Sequence, residues 1–209
     1  MSIVLSYHPF SRAAGSIWAL EEVGVPYELS FVDMLGGAHK QPGHVAVNPM
    51  GKLPALRDGD TVVTEAAAIA LYMADRYAPG RLAPPLDSPQ RGTYFRWACY
   101  APSVIEPGLM AHAAKWEFKE GQAGWGNYET MIATMEQAVE KGPYLLGETF
   151  SMADVIFGGT VRFMLTFKML EARPAFTKYV ETLNQRPALQ RADARNAKEA
   201  ADRGLKMGG

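Results

Sequence analysis

The chain has 209 residues, of which 48% are hydrophobic, a size that allows one large domain or two small ones. Its 21 Lys and Arg residues against 22 Asp and Glu residues give a net charge of −1, so we expect it to bind neither nucleic acid nor an anionic membrane. Cys99 is the only cysteine, which excludes an internal disulfide and a Cys-x-x-Cys redox pair and favours a reducing, cytoplasmic location. The sequence has no signal-peptide pattern and no apolar stretch of about 18 residues, so no membrane span is predicted.

The first elements are predicted to be a strand, a helix and a second strand. Residues 3–5 form a short apolar run of strand type, and apolar residues recur at helical spacing over 11–23. A Gly-Val-Pro sequence at 24–26 ends this helix, and 27–32 has the pattern of a half-buried strand. The usual right-handed crossover makes this a βαβ unit with parallel strands.

A hairpin and a helix follow a loop that spans residues 34–53. The strand-type segments 54–57 and 61–63 flank Asp58-Gly59-Asp60, a turn sequence whose glycine supplies a positive φ. Residues 65–77 then read as an alanine-rich helix.

Three prolines, Pro79, Pro84 and Pro85, mark a semi-rigid linker, and everything after it has helical spacing. The predicted divisions are a first domain over 1–78, a linker over 79–87 and an all-helical second domain over 88–209. Helices are predicted near 88–119, 127–141, 151–168, 174–185 and 187–203. Pro102 and Pro107 should kink or break the first of these. The fold class is therefore a βαβ-ββα unit joined to an all-α bundle.

Ser151-Met152-Ala153-Asp154 is a capping box with aspartate at its last position. Phe150 and Val155 are placed to form the hydrophobic staple around it. A catalytic role is the alternative for Asp154, but a carboxylate that accepts backbone N–H groups is poorly placed to move protons. We therefore predict that this segment starts a central helix.

The most informative segment for function lies between Asn48 and Glu65. Pro54 has no amide donor and biases Leu53 toward extended geometry, so the backbone of Leu53 can pair with a ligand backbone as an added strand. The Glu65 carboxylate at a helix start can hold a ligand ammonium, and the free N–H groups of the first turn can hold a carboxylate. Together these groups predict a site for the α-amino acid end of a small peptide.

This ordered set of features resembles the cytosolic glutathione S-transferase family over essentially the whole chain. The residues that carry the resemblance are Asn48-Pro49-x-Gly51-Lys52-x-Pro54, the Thr64-Glu65 helix start and the capping box. The segments 37–40 and 8–11 resemble the phi class, and the rest is similar to bacterial members. The resemblance implies a thioredoxin-like α/β first domain, an all-α helical-bundle second domain, a homodimer, and glutathione as co-substrate without a metal.

The resemblance also implies roles for individual residues. Pro54 would be cis, and Leu53 would pair with the cysteinyl backbone of glutathione. The glycyl end would lie near His39, Lys40 and Lys52, for which solvated loop positions are the alternative. Glu65 and Ala66 would hold the γ-glutamyl group, where Ala66 departs from the usual serine and removes a hydrogen bond of about 0.5–1.5 kcal/mol.

Glutathione reacts as its thiolate, and a thiol with a pKa near 8.5 is only about 3% ionised at pH 7. Ser11, at the start of the first helix, is the candidate whose hydroxyl donates to the sulfur. The alternative for Ser11 is a purely structural N-cap. Tyr7 is the rival donor, since several classes use a tyrosine there, and a shift in register would bring His8 or Arg12 nearer.

The resulting hypothesis is a glutathione transferase that adds the thiolate to a small hydrophobic electrophile, with a role in detoxification. Two alternatives remain open at the level of sequence. One is a glutathione-binding or protein-interaction module without turnover. The other is a glutathione-dependent peroxidase or dehalogenase that uses the same site.

Overall fold

The computed structural model describes residues 2–206, which form two compact units. The first contains the chain up to Ala78 together with the segment from Arg186 onward, and the second runs from Pro79 to Gln185. Among the described residues, no helix is both long and apolar enough to span a membrane.

The first unit is built on a mixed four-stranded sheet. Its strands are β1 (Ile3–Tyr7), β2 (Glu28–Phe31), β3 (Ala55–Asp58) and β4 (Thr61–Thr64), in the order β2-β1-β3-β4. β1 is parallel to β2 and antiparallel to β3, which in turn is antiparallel to β4. The predicted βαβ unit and hairpin are therefore confirmed.

Helices cover the two faces of this sheet unequally. The helices are α1 (Ala13–Val23), the single-turn α2 (Pro42–Val45) and α3 (Ala66–Tyr77). Because side chains alternate along a strand, β1 turns Ile3, Leu5 and Tyr7 toward one face, where they are buried near α1 and α3. Val4 and Ser6 point to the other face, toward the short α2 segment.

Over its described residues, the second unit contains helices joined by turns and loops, without a β-strand. Its helices are α4 (Gln90–Tyr100), α5 (Glu106–Ala113), α6 (Tyr128–Glu140), α7 (Met152–Thr166) and α8 (Pro174–Asn184). α7 packs against α4 and α8. Gly158 permits the close approach to α8, because a Cβ there would lie 2.3 Å from Leu183 Cδ1.

The first predicted helix of this unit was wrong in extent. A π-helical turn at Ala101–Ile105 separates α4 from α5, as expected of a segment that contains Pro102. α5 ends at Ala113 rather than near 119, because Lys115 adopts a left-handed φ of +53° and the Trp116 N–H bonds to the Ala111 carbonyl at 2.9 Å. This is the closing pattern of a Schellman motif.

The predicted capping box is confirmed at the start of α7. Asp154 Oδ2 accepts the Ser151 N–H at 2.9 Å, and both reciprocal bonds of the box are present. Asp154 Oδ1 also accepts the Leu145 N–H at 2.8 Å and the Tyr179 hydroxyl at 2.9 Å. The buried carboxylate thus joins α7 to a preceding turn and to α8, which supports its structural role.

The last helix, α9 (Pro187–Asp202), belongs to the first unit, whereas the sequence placed it in the all-helical domain over 88–209. α9 packs on α1. Arg186 donates to both carboxylate oxygens of Glu22 at 2.6 and 2.8 Å, and Arg191 donates to Glu21 at 2.8 Å. An amphipathic pattern shows that a helix has an apolar face but not which surface that face covers.

Candidate functional site

The segments that carry the predicted site leave the sheet at one edge. Ser6 near the end of β1 lies opposite Ala55 at the start of β3, and Ala55 lies opposite Thr64 at the end of β4. The loop after β1, the dipeptide before β3 and the helix start after β4 therefore share this edge. We call it the ligand edge, formed by residues 8–11, 53–54 and 65–66.

Leu53 presents an unused backbone at the ligand edge. The Leu53–Pro54 peptide bond is cis, as the resemblance implied, and the Leu53 side chain is buried. Among the described residues, neither the N–H nor the carbonyl of Leu53 takes part in a hydrogen bond. Both groups are thus available to the backbone of an added peptide.

Two buried side chains hold the residue before Leu53. His44 Nε2 lies 2.8 Å from the Lys52 carbonyl oxygen, and Asn48 Nδ2 donates to the same oxygen at 3.0 Å. Because a carbonyl only accepts, His44 must carry its proton on Nε2. Asn48 Oδ1 also accepts the Met50 N–H at 3.1 Å. The sequence predicted no role for His44, and Asn48 was predicted only as part of a motif.

The predicted glycyl-end residues are brought against the same loop. Lys40 Nζ donates to the Met50 carbonyl at 3.0 Å. Gly51 has a φ of +57°, and a Cβ there would lie 2.9 Å from the His39 carbonyl oxygen, so only glycine fits this approach. His39 Nδ1 is buried without a partner among the described residues, and the Lys52 side chain is exposed.

The helix start after β4 offers an anion site. Glu65 has a φ of +68°, a strained value for a residue other than glycine, and its exposed side chain is directed to solvent rather than capping α3. Within residues 2–206, no partner accepts the N–H groups of Ala66, Ala67 and Ala68. Free donors with a helix dipole behind them favour a carboxylate.

Ser11 lies in the turn between β1 and α1, partly exposed. Its hydroxyl donates to the His8 carbonyl at 2.8 Å and accepts the Ala13 N–H at 3.2 Å. The Ser11 N–H also bonds to the His8 carbonyl, at 3.1 Å. The His8 oxygen therefore keeps one partner if the hydroxyl turns its proton elsewhere.

Tyr7, the rival donor, is turned away from the ligand edge. It is completely buried on the face with Ile3 and Leu5, and its hydroxyl donates to Asn196 Oδ1 of α9. Burial raises the pKa of Tyr7 above its ordinary value, and the Glu199 carboxylate raises it further. A hydroxyl that is buried and already bonded is poorly suited to stabilise a thiolate.

His8 lies beside Ser11 and is also completely buried. Its Nδ1 accepts the Phe10 N–H at 3.2 Å, so the neutral ring carries its proton on Nε2, which has no partner among the described residues. Burial lowers the pKa of His8, the Asp33 carboxylate opposes this, and His39 adds to the lowering. The imidazole is thus neutral at pH 7 and fixes the turn that carries Ser11.

Within the part of the chain that the structure describes, no group of three or more His, Cys, Asp or Glu side chains is arranged to hold a metal ion. Cys99 lies on α4 of the other unit, exposed and far in sequence from the ligand edge.

Comparison with known proteins identifies the family. Residues 2–75 match the glutathione S-transferase N-terminal domain, and 111–204 match the C-terminal domain. The chain is 30% identical over 210 residues to glutathione S-transferase 1 of Triticum aestivum, covering 88% of this chain and 90% of that protein. The chain therefore belongs to the glutathione S-transferase family, whose named members are glutathione transferases.

Solved structures agree with this assignment. The glutathione transferase URE2P6 of Phanerochaete chrysosporium, in complex with oxidized glutathione, superposes with a TM-score of 0.78 at 26% identity, covering 94% of this chain and 96% of that one. A glutathione transferase homologue from Sulfitobacter with bound glutathione gives a TM-score of 0.73 at 26% identity, covering 93% and 98%. The chain thus combines a thioredoxin-like N-terminal domain with the family's helical C-terminal domain.

Proposed function

We propose that this chain binds glutathione at the ligand edge, ionises its thiol with the help of Ser11, and transfers the thiolate to a small hydrophobic electrophile. One observation carries the proposal. An unpaired strand backbone at Leu53, an unpaired helix start at Ala66 and the Ser11 hydroxyl leave the same edge of one sheet. A tripeptide with a central thiol needs these three kinds of group together.

Each part of glutathione is proposed to contact a different set of groups at the ligand edge. The γ-glutamyl carboxylate accepts the free N–H groups at Ala66, and its ammonium pairs with Glu65. His39, Lys40 and Lys52 hold the glycyl carboxylate, and Leu53 pairs with the cysteinyl backbone. Because Ala66 lacks a hydroxyl, we expect affinity about 3–10 times weaker than with a serine there.

Thiol ionisation is proposed to depend on the proton of the Ser11 hydroxyl, which changes its acceptor when glutathione binds. In the free protein Ser11 donates to the neutral His8 carbonyl, a bond with a net value of about 1 kcal/mol. Donation to a thiolate is a charge-assisted bond of about 1.5–3 kcal/mol, so the exchange favours the anion by about 1 kcal/mol. The Ala13 N–H continues to bond to the serine oxygen and supports this orientation. The predicted result is a thiol pKa about one unit lower, from this contact alone.

The reaction that follows is nucleophilic attack on an electrophile held next to the sulfur, for which proximity and thiolate stabilisation supply the rate. The chain is proposed to act as a cytoplasmic homodimer in detoxification. The cytoplasmic location, the homodimer and the role in detoxification are supported by family membership alone.

The test measures binding and turnover separately in three proteins. Glutathione affinity comes from calorimetry, and kcat/KM comes from conjugation to a nitro-activated aryl chloride. We expect Ser11→Ala to retain affinity within about threefold but to lose about tenfold or more in kcat/KM at pH 7. Tyr7→Phe is the matched control and should keep most of the activity.

Two results would overturn the proposal. If the wild-type protein binds glutathione but gives no conjugation, the alternative of a binding module without turnover stands. If Ser11→Ala is silent while Tyr7→Phe is inactive, the thiolate donor has been assigned to the wrong hydroxyl.

A further inference from the structure

A second concave site lies on the sheet face that α1 and α3 do not cover. It has a volume of about 390 Å³, within the range of small-molecule sites. Its walls come from β1, β2, β3 and the short α2 segment, all in the first unit. We call it the α2 groove, and it is lined by Val4, Ser6, Ser30, Val32, Gly43, His44, Val47 and Arg57.

Three polar side chains of the α2 groove, Ser6, Ser30 and Arg57, have no partner among the described residues, whereas His44 is bonded to the Lys52 carbonyl. Ser6 and Ser30 are direct neighbours across β1 and β2, and no hydrogen bond to either hydroxyl is present among residues 2–206. Arg57 lies opposite Val4, two residues along β1 from Ser6 and thus on the same face. Its exposed guanidinium has neither an ion pair nor a hydrogen bond with any described residue.

The rest of the lining is apolar. Val4, Val32 and Val47 form most of the remaining wall. Glu28, the acidic residue of β2 on this face, also lies opposite Val4 and is therefore two strands away from Arg57. The groove thus combines one cationic side chain, two hydroxyls on the same face of the sheet and several apolar side chains.

We propose that the α2 groove binds a small organic anion, a carboxylate with an apolar body of about the size of benzoate. Arg57 supplies a planar fork of donors that matches a carboxylate, and the hydroxyls of Ser6 and Ser30 donate to the same group. The valine side chains contact the apolar body, which inorganic phosphate lacks. This site is separate from the ligand edge and does not depend on the chemistry of glutathione.

Gly43 provides a way to fill the groove without disturbing the fold. It lies in α2, a Cβ built on it meets nothing within 4 Å, and its φ is outside the left-handed region. Because Gly43 lines the groove, Gly43→Leu is designed to fill it while improving helix propensity. Its thermal unfolding midpoint should be no lower than that of the wild type.

The test is a fluorine NMR titration of the full-length protein with 4-fluorobenzoate. S-methylglutathione is present throughout, so that the probe does not occupy carboxylate sites at the ligand edge. We expect wild-type protein to broaden the probe signal at millimolar concentration and Arg57→Gln to weaken binding at least about tenfold. Gly43→Leu should abolish it, Lys119→Gln in the other unit should not change it, and the neutral analogue 4-fluorobenzyl alcohol should bind more weakly.

Equal binding by wild type, Arg57→Gln and Gly43→Leu would overturn the proposal, as would no binding by the wild type. If Gly43→Leu does not fold, the Arg57→Gln comparison decides alone. Failure of S-methylglutathione to bind would count against the proposed function but not against the groove, because Arg57→Gln still separates groove binding from binding elsewhere.

Discussion

His44 and Asn48 donate to the same carbonyl oxygen, and removal of both should cost more than the two single losses together. The perturbation is a double-mutant cycle with His44→Ala and Asn48→Ala. Each single variant leaves the Lys52 oxygen with one donor, and the double variant leaves it with none. The measured property is glutathione affinity, because Lys52 directly precedes the Leu53 backbone that the ligand would contact.

The magnitude follows from counting hydrogen bonds. Each single variant loses one bond to Lys52, a net cost of about 0.5–1.5 kcal/mol, and Asn48→Ala also leaves the Met50 N–H unpaired. In the double variant the carbonyl loses its last protein donor and the loop is free to turn it outward, which adds about 1 kcal/mol. The glutathione affinity of the double variant should therefore be about fivefold lower than the value obtained by adding the binding free-energy changes of the two single variants.

The assay is calorimetric titration of all four proteins with glutathione. Asn127→Ala is the control, because it removes the N-cap bond to Thr130 in the other unit and lowers stability by about 1 kcal/mol without a change near the ligand edge. Its glutathione affinity should equal that of the wild type. If the two single variants are additive within about 0.3 kcal/mol, His44 and Asn48 act independently and the predicted coupling is absent.

Three further predictions concern stability. Asp154→Ala removes the acceptor of four buried donors and should lower the free energy of unfolding by about 3–5 kcal/mol in a denaturant titration, and a loss below about 1 kcal/mol would contradict this. Arg186→Ala removes two bonds to the buried Glu22 carboxylate. The opening free energy of α9, measured by hydrogen exchange, should therefore fall by about 2–3 kcal/mol. Arg191→Ala, at an exposed pair, should lower it by at most about 1 kcal/mol. The pKa of His8 is lower in the folded protein than in the unfolded chain, so the unfolded chain binds a proton more tightly at this residue. The contribution of neutral His8 to the free energy of unfolding is therefore complete above about pH 6.5 and falls as the pH drops below that value. His8→Asn should flatten that part of the stability–pH curve, and an unchanged slope would exclude His8 as the group responsible.

Local sequence signals predicted much of this fold. The capping box at Ser151 and Asp154 and the Asp58-Gly59-Asp60 turn depend on contacts within a few residues, and both are present. The cis state of Pro54 came only from the resemblance to the family, because most X-Pro bonds are trans. The early end of α5 depends on the left-handed Lys115, a residue type that gives no signal for this conformation.

Long-range contacts could not be predicted in this way. Nothing in the local sequence of Tyr7 indicates that Asn196 bonds to its hydroxyl, since 189 residues separate the two. The docking of α9 on α1 likewise depends on Arg186 and Glu22, which are adjacent only in the folded chain. The role of His44 was missed for the same reason, since a single histidine in a loop carries no pattern.

The most direct test of the central claim is the ultraviolet absorbance of the glutathione thiolate, followed against pH for the bound ligand in wild type and Ser11→Ala. In the wild type we expect an apparent thiol pKa at least about one unit below the free value near 8.5, and in the variant a value about one unit higher than in the wild type. Tyr7→Phe should titrate as the wild type does. Identical titration curves for wild type and Ser11→Ala, with glutathione bound to both, would contradict the account.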